Sequence, residues 1–104
     1  MFTKLNLNMS GRWECVENDT LFFFTLTPDM NSATDGSGGR FTTNALTMTT
    51  GDYRVGRSLE DSSKENLCFY DSPFNLQAHD FVIASTGEMV MDMYGHEFRF
   101  TKVA

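Results

Sequence analysis

The chain has 104 residues, enough apolar material for one core and no more, and its 14 acidic against 8 basic residues give a formal net charge of −6. That charge opposes binding to a phosphate backbone, and the cations Arg40, Arg54, Arg57 and Lys64 are spread among threonines and acids, so no nucleic-acid binding is expected. No apolar run exceeds four residues, Leu21 to Phe24 being one, against the roughly 20 needed to cross a bilayer, so no membrane span is expected either.

The stretch Met1 to Ser10 alternates apolar and polar residues around a single cation, Lys4, and lacks the continuous apolar segment of a secretory signal. As written, the chain reads as cytoplasmic, or as secreted or periplasmic if a leader has been removed. Beyond it one pattern repeats: a short run rich in Phe, Thr, Val, Tyr or Met, then a break of Gly, Asn, Asp or Ser, the pattern of consecutive β-hairpins. It predicts strands over 11–17, 20–28, 40–49, 51–57, 65–71, 79–85, 88–94 and 96–103, with turns at Asn18-Asp19, Thr86-Gly87 and Gly95-His96. Pro28 to Gly39 is rich in Gly, Ser and Asn without apolar period, which predicts a long flexible loop near 28–39. Ser58 with Asp61, and Ser72-Pro73, are helix-start signals on segments too short for a packed helix, so at most one or two short helical turns are expected. The expected fold is all-β, a single domain over 1–104 forming a small antiparallel up-and-down β-barrel of about eight strands.

Side chains alternate across a strand, so the pattern also assigns faces. Phe22, Phe24 and Leu26 fall on one side of the second segment; Met89, Met91 and Met93 fall on one side of the seventh; Phe98 and Phe100 fall on one side of the eighth. These sets predict the interior. Trp13 in the first segment puts Cys15 on the same face and leaves Arg12 and Glu14 outside.

Motifs that would carry chemistry are few. The glycines of the 28–39 loop lack the Lys-Ser or Lys-Thr and the following helix of a phosphate loop. Asp29, Asn31 and Asp35 begin like a calcium loop, but Thr34 stands where glycine is needed and Arg40 where glutamate is needed. His79 and His96 form no HxH or HxxxH pair, and Cys15 and Cys68 form no CxxC, so no metal site or cofactor is expected. The two thiols read as small hydrophobes, with a disulfide as the alternative. No GxSxG elbow or other nucleophile motif is present, and carboxylates such as Glu14, Glu17, Asp52, Glu88 and Asp92 fit the wet faces of strands. No catalytic residue is assigned.

The segment Ser10-Gly11-Arg12-Trp13-Glu14 resembles the GxW signature that opens lipocalins and other calycin barrels. In that family a basic residue of the last strand packs over the first-strand tryptophan and closes the barrel base. The resemblance implies that role for Arg99, within EFRFTKVA, with Lys102 as the alternative. Gly51-Asp52-Tyr53 echoes the family's TDY-like turn.

Two functions follow as expectations. In the first, the protein is a non-catalytic lipocalin-like binding protein that holds a small apolar ligand in the barrel, lined by Trp13, Phe22, Phe24, Met89, Met91, Met93, Phe98 and Phe100. In the second, it is an acidic protein-interaction module or enzyme inhibitor that uses its outer face and the 28–39 loop against a protein partner. The two differ in whether the barrel is hollow or packed.

Overall fold

The two-residue alternation of apolar side chains is carried by eight antiparallel strands in the computed structural model, which describes residues 9–29 and 37–104. In chain order they are β1 (Gly11–Glu17), β2 (Thr20–Pro28), β3 (Gly38–Thr43), β4 (Thr50–Arg57), β5 (Glu65–Ser72), β6 (Asn75–Ile83), β7 (Met89–Met93) and β8 (His96–Lys102). Each strand pairs with its predecessor, and β8 returns to β1 to close an up-and-down barrel. Closure leaves no sheet edge, so every strand has two hydrogen-bonded neighbours. No helix occurs among the described residues.

Tight turns set the register. Asn18 and Asp19 both adopt positive φ (49° and 63°), the conformation a two-residue hairpin of this twist requires and one that Asn and Asp tolerate. The β7–β8 hairpin repeats this with Tyr94 (φ 54°) and Gly95 (φ 73°), because Met93 pairs with His96. The turn therefore lies one residue before the predicted Gly95-His96.

Two strands depart from their predicted limits for identifiable reasons. The third was expected over 40–49 but ends at Thr43, because side chains there take over the sheet hydrogen bonds. Thr43 Oγ1 donates to the Phe23 carbonyl at 2.6 Å; Asn44 Oδ1 accepts the Phe23 N–H at 2.9 Å, and its Nδ2 donates to the Leu21 carbonyl at 2.8 Å. With those groups satisfied, the chain folds inward and buries Ala45 and Met48. The sixth was expected from residue 79 but begins at Asn75, because Pro73 and Phe74 form a hairpin turn rather than a helix start, with Ser72 paired to Asn75. β2 ends at Pro28 and β3 begins at Gly38, and most of the loop expected near 28–39, with Asn31 and Asp35, lies outside the described residues.

The odd hairpins, β1–β2, β3–β4, β5–β6 and β7–β8, share one end of the barrel, here the mouth; Gly11 and Lys102 stand at the other end, the base. Gly51 pairs with Phe41, and a Cβ there would sit 2.5 Å from the Tyr70 carbonyl oxygen and 3.1 Å from the Phe41 ring, so only glycine lets the strands close over that ring.

Candidate functional site

The lumen is the first place a ligand would be sought. Phe24, Phe41, Phe69, Phe81 and Phe100 converge there with Leu26, Leu67, Tyr53 and the row Met89, Met91 and Met93, each at most 1% exposed. Phe24 from β2 stacks on Phe69 from β5, across the barrel, with centroids 5.0 Å apart; Phe69 also meets Phe41 at 4.9 Å, and Phe24 meets Phe100 at 5.2 Å. Those separations are direct ring contact, the spacing of aromatic pairs in protein cores. Of the eight residues expected to line a ligand, Trp13, Phe24, Met89, Met91, Met93 and Phe100 are buried in this cluster. Phe22 and Phe98 are only partly buried, edge to face at 5.9 Å nearer the mouth, where Phe98 also meets His96.

At the base, the Trp13 indole N–H donates to the Met9 carbonyl at 2.9 Å in a buried bond. Arg99, expected over Trp13, stands instead on the outer face, its guanidinium 3.3 Å from Glu97 and 3.7 Å from Glu88. The reason is parity: Phe98 and Phe100 take the inward positions of β8, which sends Arg99 out. The cation-to-ring contact of β1 is a different one, Arg12 lying 4.1 Å over the outward Phe23 ring. Residues 103 and 104 also pair with β1 at the base, for Val103 N–H donates to the Arg12 carbonyl and Arg12 N–H to the Ala104 carbonyl.

The mouth is polar and capped. Tyr94 OH donates to the Ala45 carbonyl at 2.9 Å, tying the β7–β8 turn to the segment after β3, and Gln77 Nε2 donates to Thr47 Oγ1 at 3.2 Å. His79 lies on the same face of β6 as Gln77, with its ring against Tyr94. Burial lowers the His79 pKa below the ordinary imidazole value, with a backbone bond to Asp92 and the Asp80 charge opposing. His96 Nε2 lies 3.4 Å from Glu17.

The two thiols are free and face opposite ways. Cys15 points inward on β1, while Cys68, between Arg54 and Ala78 in the sheet, belongs to the outward set of β5. Burial pushes both thiols up in pKa, reinforced at Cys15 by the Glu17 carboxylate. Their opposite faces rule out the disulfide alternative.

A cleft of about 670 Å³ opens on the outside of the barrel, where the β4–β5 connection arches over β5, β6 and β7. Arg57, Asn66, Ala78, His79, Asp80 and Asp92 contribute from strands β4 to β7; Ser58, Leu59 and Glu60 contribute from the connection. Ser58 Oγ accepts the N–H groups of Glu60 and Asp61, Ser58 N–H donates to the Lys64 carbonyl, and Lys64 Nζ reaches Asp92 at 2.7 Å. The Asp92 hydrogen bond and charge hold the Lys64 ammonium above its ordinary pKa. The sequence pattern begins β6 at residue 79, which hides the outward position of Ala78 in this cleft. Among the described residues no group of three or more His, Cys, Asp or Glu is arranged to hold a metal ion.

These features define a closed eight-stranded antiparallel β-barrel, compatible with a calycin or lipocalin-like fold. Comparison with protein-family models, curated proteins and solved structures finds no match to the chain.

Proposed function

We propose that this protein is a non-catalytic recognition module, a rigid lipocalin-like barrel that engages a protein partner through its acidic outer face. The observation that supports the reading is the contact of Phe24 with both Phe69 and Phe100 across the lumen, which sets three large rings where a ligand would lie. An eight-stranded barrel is just wide enough to pack solid or to hold one small molecule, so a few large rings decide between the two. A net charge of −6 favours encounter with basic partners.

The second reading, a small apolar ligand inside the barrel, draws support from Met89, Met91 and Met93, whose flexible side chains suit an adaptable pocket. It requires the Phe24, Phe69 and Phe100 rings to move apart. Titration with Nile red separates the readings. The packed-scaffold reading expects no saturable uptake by the folded monomer, together with carbodiimide cross-links from outer-face carboxylates to partner lysines in an extract of the source cells. One-site uptake that changes Trp13 fluorescence would favour the ligand reading instead.

A further inference from the structure

Exposed apolar side chains scattered singly need no explanation, but those around β6 lie in a line. Leu76 and Ala78 occupy successive outward positions of the strand, and Asp80 is the next. Phe74 stands at the hairpin tip that begins this line, 98% exposed, and Leu76 is 56% exposed. Leu59, 103% exposed, is held at the lip of the cleft by the β4–β5 connection. An apolar strip therefore runs from the mouth hairpin into the cleft and meets carboxylates at its far end.

The charges there are arranged unequally. Asp80 and Asp92 face each other from adjacent strands, one step beyond the Phe81–Met91 pair, and Glu60 faces them from the connection. Lys64 bonds to Asp92 at 2.7 Å with Asp80 within reach of its charge but not bonded to it, and Arg57 turns its Nη1 toward the Ser62 carbonyl. Asp80 Oδ1 accepts from the neutral amide of Asn66 at 3.0 Å, a bond that orients the carboxylate without cancelling its charge. The Ser58 and Lys64 bonds fix the wall of the cleft in advance, so a ligand entering it orders little of the protein.

Resting on the outer-face reading above, we infer that this cleft receives an extended segment of a partner protein with an aliphatic side chain and an Arg or Lys four residues apart. Leu76 and Asp80 are four strand residues apart, about 13 Å at the rise of a β-strand, and an extended peptide repeats its facing side chains at the same spacing. The aliphatic group covers Leu76, Ala78 and Leu59; the cation meets Asp80, with Glu60 beside it. The apolar strip selects such a segment over a free cation, and the carboxylates select it over an uncharged one.

The test is an ¹⁵N-HSQC titration of the full chain with an acetylated, amidated peptide containing Leu-Thr-Ser-Thr-Arg, and with its Glu counterpart in place of Arg. The expected result is saturable shifts at Leu59, Ala78, Asp80 and Asp92 with the Arg peptide. Asp80→Asn, which keeps the Asn66 bond, weakens that binding about threefold to tenfold. Leu59→Ser also weakens it, and because Leu59 is fully exposed this variant keeps the fold. Equal response to the two peptides, shifts centred elsewhere, or no shifts would overturn the assignment of the cleft while leaving the outer-face reading in force. That broader reading falls instead to saturable ligand uptake in the lumen or to the absence of cross-links from outer-face carboxylates.

Discussion

The Trp13 indole N–H donates to the Met9 carbonyl at 2.9 Å, with both side chains at most 2% exposed, so one residue plugs the barrel base and anchors the segment that enters β1. Removing the ring leaves a cavity and an unpaired carbonyl. Trp13→Ala is expected to destabilise the fold by about 3 to 5 kcal/mol. Trp13→Phe keeps most of the packing but loses the bond, for about 1 to 3 kcal/mol. Urea unfolding followed by far-UV circular dichroism measures both; a loss under about 1 kcal/mol for Trp13→Ala would contradict the placement.

Asn44 acts as a substitute for a missing stretch of β3. Its amide meets the Phe23 N–H and the Leu21 carbonyl, so Asn44→Ala strips two bonds from an exposed site and is expected to cost about 1 to 2 kcal/mol. Asn44→Asp keeps the acceptor for the Phe23 N–H but sets a carboxylate oxygen against the Leu21 carbonyl, and its expected cost is similar. Faster amide exchange at Phe23 in the Ala variant checks the mechanism.

Acid sensitivity is expected from His79. Its folded pKa lies below the ordinary value of 6.5, so the folded state binds the proton less readily than the unfolded chain does. The associated stability is complete above about pH 6.5 and declines as the pH falls from there through the lower folded value. Urea midpoints measured between about pH 7.5 and 5, above most carboxylate titration, should fall in wild type and stay flatter in His79→Gln. Equal slopes would remove His79 from the account.

The free thiols should differ in reactivity. Cys15 faces the interior at 6% exposure, whereas Cys68 is half-buried, and burial raises both pKa values. Alkylation with iodoacetamide under native conditions, followed by mass spectrometry, should modify Cys68 before Cys15 and both more slowly than the unfolded chain. Modification of Cys15 first would place it on the wrong face.

The barrel was legible in the sequence because its strands are short, amphipathic and joined by turns with recognisable chemistry. Met89, Met91 and Met93 were assigned inward by parity alone, and all three are buried. What escaped notice depends on side chains that meet only in space. Asn44 ends β3 by reaching back to Leu21 and Phe23, a contact that no local pattern announces. Ser72-Pro73 reads as a helix start because proline favours both a first helical turn and a hairpin corner, and that ambiguity hides the first four residues of β6. The expectation for Arg99 came from a family resemblance, whereas the alternation of β8 already sent it outward. The cleft could not be read at all, since it forms where the β4–β5 connection crosses β5 to β7 and is tied to β7 by Lys64 and Asp92.

The packed lumen is probed most directly by the methyl signals of ¹³C-methionine-labelled protein during titration with benzene. In wild type the signals of Met89, Met91 and Met93 are expected to stay in place, because the Phe24, Phe69 and Phe100 rings fill the space beside them. Phe24→Ala, which opens a cavity there, should make them shift saturably. Saturable shifts of these three methyls in the wild-type protein would contradict the account.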